Sequence, residues 1–324
     1  MTGMTWLITG GAGYIGSHVA RELAGAGERI VVLDDLSTGD RSRLPEGVPL
    51  EEGTVLDAPF VADVLRRHEV TGVLHIAAKK QVGESVQRPL YYYRENVEGL
   101  RTVLEASAEA GVERFLFSSS ASVYGMPDVD LVTEQTPGRP MSPYGETKLA
   151  GEWLVAAAGQ AHGMATASLR YFNVAGAAAP ELGDPGVFNL IPMVFERLAA
   201  GQRPRIFGDD YPTPDGTCVR DYIHVADVAS AHLAAARRLA ADPSARLTLN
   251  IGSGEGASGA EVIEMIRKVT GRSDLTPEVV ARRPGDPARV VAAADLIATE
   301  LGWTARHDLA EMVSSAWAGW QHRH

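Results

Sequence analysis

The stretch Thr9-Gly10-Gly11-Ala12-Gly13-Tyr14-Ile15-Gly16 decides the fold of this chain, because it joins an apolar strand-like run to a helical pattern. Its glycines at 10, 13 and 16 have the spacing Gly-x-x-Gly-x-x-Gly. One glycine permits a tight turn, one lets the backbone approach a pyrophosphate, and one allows close helix–strand packing. Free N–H groups at the start of the helix would then meet the phosphates. The motif therefore predicts a dinucleotide-binding unit.

The acid that ends the next strand indicates which dinucleotide is bound. Asp34 follows the glycine motif by about twenty residues, the spacing at which a carboxylate accepts both hydroxyls of an adenosine ribose. A 2′-phosphate would be repelled there, so the sequence favours NAD. Arg41 and Arg43 lie nearby, but not directly after the acid. NADP therefore stays the minority alternative.

Apolar strand-like runs alternate with helical patterns through the first half of the chain. This alternation predicts an α/β fold with a doubly wound parallel sheet, covered by helices on both faces. The pattern breaks into loops from Asn173 and returns with a helix and a strand over about 225–251. We predict an NAD-binding Rossmann domain from 1–172 plus about 225–251. A smaller C-terminal α/β substrate domain would comprise about 173–224 plus 252–324.

Composition excludes several classes of partner. The 324 residues carry a formal net charge of −11 without a basic block, which argues against nucleic acid. No apolar run is long enough to span a bilayer, so no membrane partner is expected. The single cysteine, Cys218, cannot form an internal disulfide, which fits a reducing compartment. The expected location is the cytoplasm.

A second stretch, Ser142-Pro143-Tyr144-Gly145-Glu146-Thr147-Lys148, indicates the chemistry. If Ser142 caps a helix with Pro143 in its first position, Tyr144 and Lys148 rise from one face. An ammonium beside a phenol favours the phenolate, which can remove a proton from a sugar or alcohol hydroxyl. The alternative is a buried tyrosine above a surface lysine. We prefer the catalytic interpretation because the pair lies downstream of the dinucleotide motif.

These motifs and others along the chain resemble one known family. The additional runs are VGESVQRPLYYY from Val82, FSSSASVYG at 117–125, RYFNVAGA at 170–177, IFGDDYPTPDGTCVRDYIHVAD at 206–227 and RRPGDPA at 282–288. The chain resembles, nearly end to end, the UDP-glucose (UDP-galactose) 4-epimerases of the extended short-chain dehydrogenase/reductase superfamily. The glycine and tyrosine motifs are shared across that superfamily, whereas the PTPDGTCVRDYIHV stretch resembles the epimerases themselves.

The resemblance implies an isomerase that holds NAD tightly, does not consume it and needs no metal. Tyr144, as phenolate, would take the proton from the 4′-hydroxyl of a UDP-hexose, with Ser120 hydrogen-bonded to the same oxygen. The hydride at C4′ would pass to NAD and return to the other face of the sugar. Lys148 would lower the tyrosine pKa and hold the nicotinamide ribose. A homodimer is also implied.

The resemblance further implies two sets of contacts. The NAD contacts would be Gly10, Gly13, Tyr14, Ile15, Gly16, Asp34, Asp35, Lys80, Asn96, Tyr144, Lys148 and Phe172. The UDP-sugar contacts would be Ser120, Tyr144, Asn173, Asn189, Ile206, Phe207, Arg220, Arg283, Asp286 and Val290. Forked guanidinium groups suit a diphosphate in an acidic protein. The alternative for the arginines is ion pairing, Arg220 with Asp221 or Asp227 and Arg283 with Asp286.

Two departures from the family pattern bear on the ligands. Thr54 stands where the family usually has an aspartate for the adenine amino group, with Asp57 a turn later. Val290 stands where some members carry a tyrosine near the 2′-substituent. The smaller side chain predicts room for an N-acetyl group, and thus turnover of UDP-GalNAc and UDP-GlcNAc.

Two other activities and one non-catalytic role compete with this interpretation. A sugar-nucleotide 4,6-dehydratase normally has Asp-Glu before the Val-Tyr-Gly turn, where this chain has Ala121-Ser122. A UDP-uronate 4-epimerase is the nearest alternative, because it differs only in how C6 of the sugar is held. A non-catalytic NAD-binding sensor would have no use for the Ser/Tyr/Lys set.

Overall fold

A computed structural model describes residues 4–283 and 285–324, and its largest element is a seven-stranded parallel sheet. The strand order is β10-β6-β5-β4-β1-β2-β3, the doubly wound arrangement predicted from the sequence. The strands of the chain are β1 (Thr5–Thr9), β2 (Arg29–Asp34), β3 (Leu50–Glu52), β4 (Gly72–His75), β5 (Arg114–Ser120), β6 (Ala165–Tyr171), β7 (Asn173–Ala175), β8 (Arg205–Phe207), β9 (Val219–His224), β10 (Arg246–Ile251), β11 (Gly256–Ser258), β12 (Glu278–Val280) and β13 (Arg289–Val290).

Helices cover both faces of this sheet. The α-helices of the chain are α1 (Tyr14–Gly25), α2 (Ala58–Arg67), α3 (Val82–Gln87), α4 (Pro89–Tyr92), α5 (Gly99–Glu109), α6 (Pro143–His162), α7 (Leu190–Ala199), α8 (Val225–Ala241), α9 (Gly259–Thr270), α10 (Asp295–Leu301) and α11 (Leu309–Arg323). One apolar cluster joins the sheet to α1 and α8, and another joins it to α2, α5 and α6. The near-continuous apolar strands are thus buried on both sides, which confirms the predicted fold class.

One predicted helix is interrupted. The pattern over about 89–110 predicts one long helix, whereas the structure has α4 and α5 joined by a π-helical segment, Tyr93–Glu98. A π-turn inserts an extra residue into the helix and is frequent at functional sites. Here the insertion accompanies Asn96, whose side-chain amide donates to the Lys79 carbonyl and the Thr147 hydroxyl.

Short strands form a second layer beside the main sheet. β9 pairs with β11, β13 and β7, and β8 pairs with β12. Helices α7, α9 and α11 pack over an apolar cluster that includes Phe195, Tyr222 and Trp320. This layer lies beyond the end of β6, so it faces the carboxyl ends of the parallel strands, where ligands bind in open α/β sheets. No helix in the described ranges has both the length and the apolar character to cross a membrane.

Candidate active site

The glycine turn between β1 and α1 is shaped for an anion. Gly10 has a φ of +69°, and a Cβ on Gly16 would lie 2.1 Å from the Gly10 carbonyl oxygen. Helix α1 follows Gly13 without a side-chain cap, and no acid stands in its first turn. The first N–H groups of α1 are therefore open to a phosphate, which the helix dipole also favours.

Asp34 is held beside this turn by the backbone. Its Oδ2 accepts a hydrogen bond from the Ala12 N–H at 2.9 Å, and its Oδ1 accepts one from the Leu36 N–H at 2.9 Å. Burial raises the pKa of this carboxyl, while the two N–H donors oppose the rise. The carboxylate keeps free lone pairs for ribose hydroxyls, in agreement with the predicted preference for NAD.

The turn and Asp34 open into a cavity of about 460 Å³, here called the glycine cavity. Residues predicted to contact NAD make up much of its wall: Gly10, Gly13, Tyr14, Ile15, Gly16, Asp34, Asp35, Lys80, Tyr144 and Lys148. Thr54 also lines it. Asp57 caps α2 by accepting from the Phe60 N–H at 3.1 Å, and it is not among the described residues that line this cavity. The residues present otherwise fit a dinucleotide.

The glycine cavity is not lined by two predicted NAD contacts, Asn96 and Phe172, or by the predicted catalytic Ser120, as far as the described residues show. Asn96 is buried, and its Oδ1 accepts from the Lys79 N–H at 2.8 Å. Phe172 is buried against Tyr124, with ring centroids 6.4 Å apart. The Ser120 hydroxyl donates to the Ser122 hydroxyl at 3.2 Å. In this structure these side chains are engaged by protein groups, which sequence motifs do not reveal.

Helix α6 begins as the sequence predicts. Ser142 is its N-cap, its hydroxyl accepting from the Gly145 N–H at 3.2 Å, and Pro143 is the first helical residue. This start places Tyr144 and Lys148 together in the glycine cavity. The Lys148 ammonium donates to the Ser118 carbonyl at 2.7 Å and lies 6.0 Å from the Tyr144 ring centroid. The lysine is buried, so the alternative of a surface lysine is wrong.

Burial acts on both members of this pair. It raises the pKa of Tyr144, against a smaller lowering effect of the Ser120 hydroxyl. It lowers the pKa of Lys148 to about 7, against the opposing effect of the Glu152 carboxylate. Lys148 alone therefore does not make Tyr144 a phenolate at neutral pH. A further positive charge beside the phenol is required, and the predicted mechanism assigns that charge to the nicotinamide of NAD.

The three consecutive serines at the end of β5 are all hydrogen-bonded, as expected for polar groups in a buried strand. The Ser118 hydroxyl pairs with the Tyr171 hydroxyl at 2.6 Å, and the Ser119 hydroxyl donates to Glu152. Ser120 pairs with Ser122 near Tyr144. Ser119 thus connects β5 to helix α6, and Ser118 connects it to Tyr171 of β6, whose hydroxyl also meets His232 of α8.

A second cavity, of about 220 Å³, lies in the short-strand layer and is here called the arginine cavity. Its lining contains most of the predicted UDP-sugar contacts: Asn173, Asn189, Ile206, Phe207, Arg220, Arg283 and Asp286. The Arg283 guanidinium lies 3.8 Å from the centroid of the Phe207 ring. An aromatic face and cationic donors in one cavity suit a base attached to a diphosphate.

The ion pairs differ from the alternatives derived from sequence. Arg220 lies 3.7 Å from Asp286, rather than pairing with Asp221 or Asp227. Asp221 instead accepts from the Ser253 and Gly254 N–H groups, because it is fully buried beside that loop. Asp227 accepts backbone N–H groups from Arg306 and His307. The Arg220 pairing leaves Arg283 to stack on Phe207.

Val290 occupies a different place from the one predicted. It is buried in an apolar cluster with Val123, Tyr124 and Phe172, and it is not among the described residues that line either cavity. The parallel pairing of β13 with β9 sets Val290 beside Arg220, where apolar neighbours cover it. The valine is therefore part of a packed cluster rather than an open wall.

The two cavities adjoin each other. Tyr14, Asp184 and Phe188 line both of them, and the Lys80 ammonium lies 3.9 Å from the Asp184 carboxylate. Sequence reasoning missed Asp184 and Phe188, because they lie in an irregular loop without periodicity or motif. A ligand in the arginine cavity can therefore meet a ligand in the glycine cavity, which brings Tyr144 within reach of both.

Comparison with known proteins gives a consistent result. The model of the NAD dependent epimerase/dehydratase family matches residues 6–252. The UDP-glucose 4-epimerase of Streptomyces lividans is 48% identical, over 98% of this chain and 96% of the relative.

Solved structures agree with this match. The UDP-glucose 4-epimerase of Stenotrophomonas maltophila, with bound NAD and formylated UDP-arabinopyranose, has a TM-score of 0.94 and 42% identity, covering 99% of this chain and 98% of that one. The UDP-Glc/GlcNAc 4-epimerase of Campylobacter jejuni has a TM-score of 0.87 and 38% identity, covering 98% of this chain and 100% of that one.

Proposed function

Because this chain belongs to the NAD dependent epimerase/dehydratase family, we propose that it interconverts UDP-galactose and UDP-glucose with a retained NAD. The observation that carries the proposal is the shared wall of the two cavities. It lets a cofactor against the glycine turn and a UDP-sugar beside the arginines meet at Tyr144. NAD, when bound, supplies the acceptor and then the donor of the hydride at C4 of the hexose.

The chain's own residues would perform the proton chemistry. Tyr144 would take the proton from the 4′-hydroxyl and later return it to the same oxygen. Ser120 would hydrogen-bond the same oxygen once its contact with Ser122 is released. Lys148 would stabilise the phenolate through its charge and hold the nicotinamide ribose.

Other residues would hold the two nucleotides. The N-terminus of α1 would bind the pyrophosphate of NAD, and Asp34 the adenosine ribose, with Lys80 and Asp35 nearby. Arg220 and Arg283 would neutralise the diphosphate of the substrate. Phe207 and Ile206 would lie along the uracil, and Asp286 at its ribose. Asn173 and Asn189 would orient the sugar and phosphate.

We propose that N-acetylated UDP-sugars are also turned over. This proposal is supported by the Campylobacter jejuni relative, which is described as a UDP-Glc/GlcNAc 4-epimerase. Val290 does not support it, because the valine is packed in an apolar cluster and is not among the described residues that line either cavity. The wild-type protein should convert UDP-GalNAc as well as UDP-Gal when both are followed by NMR, and a turnover ratio strongly favouring UDP-Gal would refute the proposal.

We propose a homodimer with an interface on α3, α4 and α6. Val86, Leu90 and Trp153 are 61%, 84% and 66% exposed on these neighbouring helices, and exposed apolar sets of this kind mark interfaces. A second copy is the occupant that the family resemblance implies. Trp153→Glu should shift the mass measured by light scattering from dimer to monomer, and an unchanged mass at low concentration would refute the interface.

Two further predictions from the sequence concern the domain division and the cellular location. We propose the two-domain division at about 173, 225 and 252, supported by the fact that the main sheet draws its strands from 5–171 and 246–251. We also propose a cytoplasmic location, supported by the single cysteine.

The decisive experiment uses the purified protein without added NAD. UDP-Gal, UDP-GalNAc and UDP-glucuronate are supplied separately, and their C4 epimers are followed by NMR. Conversion of UDP-Gal to UDP-Glc, and its loss in Tyr144→Phe, would support the activity and a retained cofactor. Failure to convert UDP-Gal even with added NAD would refute the proposal, and exclusive conversion of UDP-glucuronate would replace it.

A further inference from the structure

A buried ion pair lies directly behind the catalytic face of α6. Glu152 follows Lys148 by one helical turn, and Arg170 lies on β6. The guanidinium binds the carboxylate with two contacts, Nε to Oε1 at 2.8 Å and Nη2 to Oε2 at 2.6 Å. Both residues are only 7% exposed. Removing two charges from water costs free energy that offsets their attraction, so a buried pair of this kind is not explained by its contribution to stability alone.

The pair is fully satisfied by neighbouring groups. The Ser119 hydroxyl donates to Glu152 Oε1. Arg170 Nη1 donates to the Tyr124 hydroxyl at 2.8 Å, and that hydroxyl donates to the Asn250 side-chain oxygen at 2.6 Å. The contacts tie α6 to β5, β6 and β10. Glu152 and Arg170 therefore cannot rotate independently of the turn that carries Lys148.

The charges around Lys148 show what the pair does. Glu152 opposes the effect of burial on the lysine and so favours its protonated form. His75, on β4, has its pKa lowered to about 3 and stays neutral at pH 7. Tyr92 and Tyr171 have raised pKa values, chiefly because of burial, and also stay neutral. Lys148, Glu152 and Arg170 thus form a buried charge triad.

We propose that Glu152 and Arg170 are positioning residues that keep the Lys148 ammonium charged without neutralising its effect on Tyr144. Glu152 supplies the negative charge that a buried ammonium needs. Arg170 takes up that negative charge in two strong hydrogen bonds, so the triad carries a net charge of +1 toward Tyr144. This inference rests on the proposed function, because it assigns Tyr144 the role of base.

The proposal predicts opposite effects for the two single variants. Glu152→Gln removes a negative charge, so both Lys148 and Tyr144 should lose their protons at lower pH. Arg170→Gln removes a positive charge, so both should lose them at higher pH. The limb set by Lys148 should move by about 1 pH unit, because a nearby opposite charge favours the ammonium and a nearby like charge disfavours it, each by about one pKa unit or more. The limb set by Tyr144 should move less, because Tyr144 lies two turns from Glu152.

The pH profile of kcat is therefore measured for both single variants, for Glu152→Gln/Arg170→Gln, and for Glu105→Gln. The last removes a carboxylate from an exposed ion pair with Arg101 and serves as the control. We expect the pH profile to move to lower pH in Glu152→Gln and to higher pH in Arg170→Gln. In the double variant it should return to the wild-type position, and in Glu105→Gln it should not move. A purely structural pair would lower kcat without moving the limbs, and that result would overturn the proposal.

A second measurement does not depend on turnover. Absorbance near 295 nm follows tyrosinate formation, and subtracting the trace of each variant's Tyr144→Phe counterpart isolates the Tyr144 signal. Its midpoint should be lower in Glu152→Gln than in wild type and higher in Arg170→Gln. If a single variant does not fold, the neutral double variant is compared with Arg170→Gln or Glu152→Gln, whichever folds. If the midpoints of the variants equal that of the wild type, the proposed role of the pair is overturned. If the midpoints shift as expected but the wild-type protein has no epimerase activity, only the epimerase proposal is overturned.

Discussion

The glycine cavity and the arginine cavity solve different physical problems. In the first, Lys148, Ser118 and Ser119 are buried and hydrogen-bonded on strands and a helix of the main sheet. In the second, Arg283 is exposed and rests on Phe207, and Arg220 has a loose contact of 3.7 Å with Asp286. Proton and hydride transfer need fixed geometry. A substrate whose sugar must present both faces needs to be anchored by charges only at its nucleotide end.

The difference predicts that catalysis and substrate binding fail separately. Tyr144→Phe should lower kcat by roughly 10²- to 10⁴-fold, the usual contribution of a general base, because it removes the ionisable group. Affinity for UDP, measured by calorimetry, should change less than about twofold. Tyr93→Phe, whose hydroxyl contacts Glu146 outside both cavities, is the control. A large loss of UDP affinity in Tyr144→Phe would break the separation.

The arginine cavity should show the reverse pattern. Arg283→Gln should weaken UDP binding about 10- to 100-fold, since a charged hydrogen bond contributes roughly 1.5–3 kcal/mol. NAD retention through gel filtration should be unchanged. Arg282→Gln is the neighbouring control, because that guanidinium lies 3.9 Å over Tyr211 and outside the lining of the cavity. Equal effects of the two substitutions would contradict the assignment of Arg283.

The glycine turn should not tolerate a Cβ at Gly16, where helix α1 packs against the turn. Gly16→Ala places a Cβ 2.1 Å from the Gly10 carbonyl oxygen and should lower the free energy of unfolding by roughly 1–3 kcal/mol. It should also weaken NAD binding by moving the start of α1. Gly25→Ala, in the same helix with no atom within 4 Å of its Cβ, should be neutral or stabilising. Thermal unfolding and retained NAD are measured together, and equal melting temperatures would contradict the packing argument.

Acid should weaken the cofactor side of the molecule through its buried histidines. Burial lowers the pKa of His232 to about 4, so below pH 6.5 the unfolded chain binds a proton that the folded chain does not. Stability is therefore present above about pH 6.5 and is lost as the pH falls toward 4, by roughly 2 kcal/mol at pH 5.

A titration of stability against pH tests this effect. Between pH 7 and 5, the free energy of unfolding of His232→Gln should fall less steeply than that of the wild type. The difference in slope should correspond to up to about one proton fewer taken up on unfolding. Only the slope is compared, because the substitution also removes the contact with Tyr171. The exposed His162→Gln should keep the wild-type slope. A wild-type slope in His232→Gln would show that this histidine does not contribute.

Local motifs determined the cofactor side of this protein by themselves. The spacing of Gly10, Gly13 and Gly16, the acid at Asp34 and the cap at Ser142 act over a few residues, so their geometry follows from sequence. The face shared by Tyr144 and Lys148 follows from the helical period. In the structure the three glycines, Asp34, Tyr144 and Lys148 all line the glycine cavity.

Tertiary structure alone decided the partners of charged and apolar groups. Arg220 pairs with Asp286 although Asp221 is adjacent in sequence, because β9 buries Asp221 beside the Ser253 loop. Val290 enters an apolar cluster, and Glu152 meets Arg170 across helix and strand. The physical reason is that burial and long-range pairing are set by how strands distant in sequence come together. Spacing along the chain determines which residues share a face, and the packed fold determines what that face meets.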